Sequence, residues 1–236
     1  MKIAILTTKT THHAFFVKEL MNTKNIIDFF LEKEKIFSKY KTTHLIDKKI
    51  LNYEKKKCFK KKEQFLYKFN KIKEYRDLNN KRFYDFIKSK KYDLVIVFGT
   101  RKIKTKLINL FKKNIYNLHG GNPEKYRGLD SFFWSIFNNE FKSLVTTLHV
   151  LEEELDTGKI FAKKNIKLKK KMKFQELRYY NTINCVELSK MLIDKYSKGK
   201  NIIVGNQKKI GKYYSAMPSD LKDYCIKKFE DYTKKL

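Results

Sequence analysis

The stretch DLVIVFGT, Asp93 to Thr100, decides the fold. It is apolar without alternation and too short for a buried helix, which is the pattern of a parallel strand covered on both faces, and Gly99-Thr100 ends it. KIAILTT, Lys2 to Thr8, has the same character at the start of the chain. Between them the pattern predicts a helix over Ala14 to Met21, a strand over Ile26 to Leu31, and a helix over Asn80 to Lys90 with Phe83, Phe86 and Ile87 on one face. Beyond Thr100 it predicts a helix over Lys102 to Phe111, a strand over Asn114 to Leu118, and a helix over Leu129 to Asn138. A strand pair, Leu144 to Leu151 and Lys159 to Ile166, precedes a long helix, Phe174 to Tyr196. Strands alternating with helices predict an α/β chain with a doubly wound, mostly parallel, Rossmann-like sheet.

Such sheets collect ligands outside the carboxyl ends of their strands, and both Gly99-Thr100 and Asn117-Leu118-His119 fall at such ends. Two residues apart on an extended segment, Asn117 and His119 share one side. Asp156, in Leu155-Asp156-Thr157-Gly158, can close on the histidine from a second loop. Amide, imidazole and carboxylate together suit acyl transfer to an amine: a donor for a developing oxyanion, a group that handles a proton, and an orienting carboxylate. Taken singly, Asn117 and Asp156 read as turn residues, and His119 and His149 as structural histidines. His12 and His13 follow the first strand, either facing solvent at a helix start or touching a substrate phosphate.

The words around these residues carry more. NLHGGNPEKYRGLDSFFWSI (Asn117 to Ile136) and TTLHVLEEELDTGKI (Thr146 to Ile160) together resemble the catalytic half of the formyltransferase family that uses 10-formyltetrahydrofolate. The likeness runs from about Asp93 to about Leu168. It implies that Asn117, His119 and Asp156 are the catalytic trio. It also implies that Phe98, Gly99, Thr100, Arg101, Leu155 and Asp156 neighbour the folate. Gly120, Gly121, Arg127 and His149 fall to the substrate side, with Arg127 either anchoring a diphosphate or fixing its own loop. No metal is required. Residues 1–200 form the catalytic domain and residues 201–236 a C-terminal extension packed on it. From Gly211 onward the chain either closes over the site or forms a subunit contact. The position of the family's phosphate loop reads Thr7-Thr8-Lys9-Thr10-Thr11 without a glycine, which argues against a glycinamide-ribonucleotide acceptor. The wording from Tyr126-Arg127-Gly128 to Trp134 is more like the formyltransferases acting on nucleotide-linked amino sugars for surface polysaccharides. A methionyl-tRNA formyltransferase-like enzyme and a 10-formyltetrahydrofolate hydrolase are the alternatives.

Composition bounds the rest. With 42% hydrophobic and 15% aromatic residues, the 236-residue chain is expected to fold around one sizeable core. The formal charge of +30 raises nucleic acid as a partner, yet the basic residues are nearly all Lys, with Arg only at 76, 82, 101, 127 and 178. Lys spread evenly among Asn, Ile, Tyr and Phe reads as the imprint of an AT-rich genome, so a nucleic-acid partner is not expected. The Lys- and aromatic-rich stretch Tyr53 to Lys73 reads as a solvated helix or insertion. Cys58, Cys185 and Cys225 read as reduced thiols, and no apolar run reaches membrane-spanning length. A cytoplasmic enzyme is expected, with a homodimer compatible with the sequence.

Overall fold

The computed structural model describes residues 1–22, 25–34, 37–59, 72–111 and 114–236. Strand β1 (Lys2–Thr8) leads into α1 (Thr11–Met21), β2 (Ile26–Glu32), α2 (Leu45–Phe59), β3 (Ile72–Tyr75) and α3 (Lys81–Lys90). Then come β4 (Leu94–Phe98), α4 (Thr105–Leu110), β5 (Ile115–His119), β6 (Tyr126–Gly128), α5 (Ser131–Phe137), β7 (Val145–Val150) and β8 (Ile160–Asn165). Helix α6 (Leu177–Ser197), β9 (Lys212–Tyr214) and α7 (Ser219–Lys234) close the chain. The main sheet has the order β3-β2-β1-β4-β5-β7-β8. Its first five strands are parallel, and β7 and β8 run antiparallel to their neighbours. The chain winds outward from β1 and then, in the other direction, from β4, so the switch point lies between these two strands.

Alternating side chains divide the core into layers. Ile3, Ile5, Ile96, Phe98, Tyr116, Leu118, Leu148 and Val150 pack with Phe16 and Leu20 of α1 and Leu188, Leu192 and Ile193 of α6. Ala4, Leu6, Phe30, Val95, Val97 and Ile115 pack on the other face with Phe83 and Ile87 of α3 and Leu107 and Ile108 of α4. A third cluster joins Ile46 and Ile50 of α2, Phe133 and Ile136 of α5, and Cys225 and Phe229 of α7. Asn80 starts α3 by accepting a 2.8 Å hydrogen bond from Phe83 N, a cap of a kind worth about 1 kcal/mol.

Several local expectations shift. Helix α1 begins at Thr11 rather than Ala14, and His12 and His13 are buried instead of solvent-facing. The Thr10 hydroxyl lies 2.6 Å from His13 Nδ1, and Phe98 packs on the His13 ring at 4.4 Å. Of the stretch Tyr53 to Lys73, residues up to Phe59 belong to α2, where Glu54 is fully buried, and residues 60–71 lie outside the described residues. β3, β6, β9 and α7 carry no apolar run in the sequence. The C-terminal residues lie on the body of the protein: β9 pairs in parallel with β6, and the Trp134 Nε1–H donates to Ser215 O. Among the described residues no helix is long and apolar enough to cross a membrane.

Candidate active site

Tyr116 and Leu118 enter the core against α1 and α6, so Asn117 and His119 project from the opposite face of β5. The antiparallel register sets Asn117 directly opposite His149 and His119 opposite Thr147. Residues facing one another this way have neighbouring side chains. Asn117 Nδ2 lies 3.3 Å from His149 Nε2, and it donates at 3.3 Å to Asp156 Oδ1. Asp156 Oδ2 is 3.4 Å from His119 Nδ1, and its Oδ1 is 3.4 Å from His149 Nε2. Gly128 N donates to Asp156 Oδ2 at 2.8 Å. One carboxylate thus gathers two imidazoles, one amide and one backbone N–H.

Burial acts to raise the Asp156 pKa, but His119, His149 and the Gly128 N–H outweigh it and hold the carboxyl well below the usual carboxylate range. His149 Nδ1 donates to Val150 O at 2.8 Å, which leaves Nε2 toward the carboxylate. His149 is completely buried and reaches the other site residues from behind. His119 has acceptors at both nitrogens, Asp156 near Nδ1 and Tyr126 O at 2.9 Å from Nε2, with Ser131 Oγ at 3.3 Å from the same nitrogen. Neighbouring threonines fix the surroundings: Thr147 Oγ1 donates to Gly121 O and Thr146 Oγ1 to Asn181 Oδ1.

The Asp156 loop is tightly held. Asp156 adopts a left-handed backbone with φ 59°, a conformation that costs a non-glycine residue about 1–2 kcal/mol and persists only where its surroundings enforce it. Gly158 packs so closely on β7 that a Cβ there would fall 1.8 Å from Val150 O. Gln207 Nε2 donates to both Asp156 O (2.8 Å) and Gly158 O (3.0 Å), while its Oε1 is buried with no partner among the described residues.

The other residues singled out in the sequence divide between two cavities and the framework. Gly99 and Arg101 line a cavity of about 570 Å³ at the carboxyl ends of β1, β2 and β4, walled also by His13. Phe98 is buried beneath it, and Thr100 Oγ1 donates to Arg101 O. The Arg101 guanidinium is clamped by Glu32, Glu34 and Asp77 at 3.2, 2.6 and 2.8 Å. Arg127 directs its donors inward, to Gly211 O at 2.7 Å, Leu155 O at 3.3 Å and Glu154, and so ties the Asp156 loop to β9. Gly121 packs on Ser131 and His119.

Gly120 and His119 line a second cavity of about 260 Å³, enclosed by Phe132, Phe133, Phe174 and Leu177 and by His12, Asp130, Arg178, Asn181 and Lys222. Glu54 receives Arg178 Nε and Nη2 at 2.6 and 2.9 Å. Burial, the neighbouring His13 and Arg178 hold the His12 pKa well below its ordinary value. Burial and then Arg178 push that of His13 down to about 3. Asp130, Asn181, Gln207 and Lys222 have no signal in the sequence strong enough to single them out, and Arg178 stands out only as one of few arginines. The nearest is the three-residue spacing of Arg178 and Asn181, which puts both on one helix face.

A sequence model of the formyl transferase family matches residues 1–193. Among relatives, the bifunctional polymyxin resistance protein ArnA of Wigglesworthia glossinidia brevipalpis is 31% identical over 129 residues, 54% of this chain and 18% of its own length. The methionyl-tRNA formyltransferase of Finegoldia magna is 29% identical over 124 residues, 52% of this chain and 40% of its own. The chain therefore spans less than half the length of either relative. Among solved structures, a 4-N formyltransferase from Francisella tularensis superposes with a TM-score of 0.61 at 20% identity, covering 91% of this chain and 76% of its own. PseJ from Anoxybacillus kamchatkensis, solved with UDP-4,6-dideoxy-4-formamido-L-AltNAc and tetrahydrofolate, does so at 0.53 and 18% identity, covering 95% and 89%. These structural likenesses concern the fold. The matched residues hold every strand of the main sheet together with Asn117, His119 and Asp156, and the chain belongs to the formyl transferase family.

Proposed function

We propose that the protein transfers a formyl group from 10-formyltetrahydrofolate to the amine of a nucleotide-linked amino sugar. The observation that carries the transfer is the convergence of Asn117, His119 and His149 on the buried Asp156 carboxylate at the end of β5. When bound, the folate supplies an electrophilic formyl carbon on a nitrogen that can leave. Asn117 donates a hydrogen bond to the formyl oxygen as negative charge collects there, a role worth about 3–4 kcal/mol where single donors have been removed. His119, held at Nδ1 by Asp156, would exchange the Tyr126 O contact of Nε2 for the reacting amine, take up the proton that the amine loses and return one to the folate nitrogen as its bond to the formyl carbon breaks. His149 and the Gly128 N–H keep Asp156 ionised and in place.

Two features support the folate. Gln207 Oε1 is a buried acceptor beside the Asp156 loop with no partner among the described residues, which suits the N–H edge of a pterin. The loop from Phe98 to Arg101 is pinned by Glu32, whose Oε2 accepts from Arg101 N at 2.8 Å. Phe98, Gly99, Thr100, Arg101, Leu155 and Asp156 are the proposed folate neighbours. PseJ, with tetrahydrofolate and a formamido sugar nucleotide bound, offers the same reading for a protein of similar fold.

The acceptor class is supported by the cavity beside His119. At about 260 Å³ it has room for one substituted sugar ring, and it combines aromatic walls with Asp130, Arg178, Asn181 and Lys222. A methionyl side chain placed there would desolvate these charges without returning a hydrogen bond. Gly120 lines the cavity beside His119, Gly121 packs on His119 and Ser131, and Arg127 holds Leu155 and Gly211. The test compares release of tetrahydrofolate with nucleotide-linked amino sugars against release with charged initiator tRNA. Dependence on a sugar is expected, whereas dependence on the tRNA alone would replace the acceptor, and release with no acceptor would make the protein a hydrolase.

A further inference from the structure

Lys222 is 4% exposed although it carries an ammonium group. A buried ammonium needs partners for its three donors. Lys222 Nζ donates to Thr42 O at 2.6 Å, and its nearest carboxylate oxygen, Asp47 Oδ1, is at 3.7 Å, beyond hydrogen-bonding distance. The ammonium lies 5.2 Å over the Phe133 ring. With one short bond made, Lys222 lines the cavity beside His119 with donors still to place.

Asp130 lines the same cavity with complementary chemistry. Its backbone is left-handed, φ 50°, and Oδ2 accepts from Met217 N at 2.8 Å. The hydrogen bond to Oδ2 leaves Oδ1 toward the cavity charges, with Lys222 and Arg178 near enough to favour the ionised carboxylate. Both features depend on the C-terminal segment: Met217 holds the carboxylate and α7 delivers Lys222, yet the family match ends at residue 193. The cavity is thus completed by residues outside the matched region.

We propose that Lys222 and Asp130 are an acceptor-selecting pair, binding an acetamido substituent of the sugar ring through its carbonyl and its N–H respectively. This rests on the amino-sugar reading above and narrows it. An acetamido group presents an acceptor, a donor and a methyl group together. Phe132, Phe133 and Phe174 supply the apolar wall for the methyl, and the buried Lys222 and half-buried Asp130 supply the polar partners. A hydroxyl in the same place offers a single oxygen to both partners and no methyl group to the aromatic wall, which costs affinity.

The test uses isothermal titration of the full chain with two probes, UDP-linked 4-amino-4,6-dideoxy sugars bearing either an acetamido or a hydroxyl group at C2. The wild type is expected to bind the acetamido probe at least about tenfold more tightly, the scale of one lost buried hydrogen bond. Lys222→Met and Asp130→Asn should each remove that preference while leaving folate affinity unchanged. Asp130→Asn keeps an oxygen for Met217 N, so it decides the question if Lys222→Met fails to fold. A wild type that binds neither probe, shows no preference, or keeps its preference in a folded variant overturns the pair. Release of tetrahydrofolate with the same probes is scored separately. Transfer can fail while the binding preference stands, so failure of the pair and failure of the transfer are told apart.

Discussion

Replacing Gly158 by alanine asks whether the Asp156 loop is held against β7 as closely as the geometry requires. The new Cβ would lie 1.8 Å from the Val150 carbonyl oxygen and 2.8 Å from its carbon. A close carbon–oxygen contact is roughly 3.3 Å, so the two backbones must part by about 1.5 Å. The carbonyl that must move accepts from His149 Nδ1, and Val150 N donates to Lys159 O at 2.8 Å. His149 therefore shifts with it, away from Asp156 Oδ1, 3.4 Å distant. Overpacking of this kind costs about 1–3 kcal/mol, which in a chain of this size lowers Tm by about 2–4 °C for each kcal/mol. A displacement near 1 Å at a reacting group costs about a hundredfold in rate. Thermal melting and acceptor-dependent release of tetrahydrofolate measure the two effects. A Gly158→Ala protein with unchanged Tm and kcat would show that the loop does not depend on this contact.

Other perturbations separate the parts of the site. Asn117→Ala should lower kcat about 100- to 1,000-fold with little change in acceptor KM, as loss of a single oxyanion donor does, and a kcat close to wild type would remove that role. Gln207→Ala deletes both bonds to the Asp156 loop and the buried acceptor beside it. It should weaken folate binding and lower stability by about 1–3 kcal/mol, read by titration and melting. His13 is held neutral in the fold down to about pH 3, whereas an unfolded chain takes up a proton below about pH 6.5. Its contribution to stability is therefore complete above about pH 6.5 and is lost as pH falls toward 3, with a slope of up to about 1.4 kcal/mol per pH unit. His13→Gln should flatten that part of the stability profile, and an unchanged slope would contradict the neutral buried state.

The alternating order of elements was readable because buried parallel strands such as Leu94–Phe98 and Lys2–Thr8 are short apolar runs bounded by turn residues. The two-residue spacing of Asn117 and His119 announced a shared strand face, and the structure sets both on it. What local pattern could not announce depends on tertiary pairing. β6 and β9 exist because Tyr126–Gly128 and Lys212–Tyr214 meet across the fold, and neither has an alternation of its own. His12 and His13 read as surface groups because Glu54 and Phe98, which cover them beside the local Thr8 and Thr10, are brought there only by α2 and the sheet. Lys222 was indistinguishable among so many lysines. The arginines carried a better signal: in a chain that uses Lys almost throughout, Arg101, Arg127 and Arg178 each sit where a planar fork meets carboxylates or carbonyls.

The proposed reaction has Asn117, His119 and Asp156 move a formyl group from folate to an amine. Its most direct test is release of tetrahydrofolate from 10-formyltetrahydrofolate by the wild type and by Asp156→Asn, each with and without a nucleotide-linked amino sugar. Asparagine keeps the shape of Asp156 but removes the charge that faces His119 and His149. Release that requires the amino sugar and is lost in Asp156→Asn is the predicted result. Undiminished release by Asp156→Asn, or release by the wild type at the same rate without any amine, would contradict it.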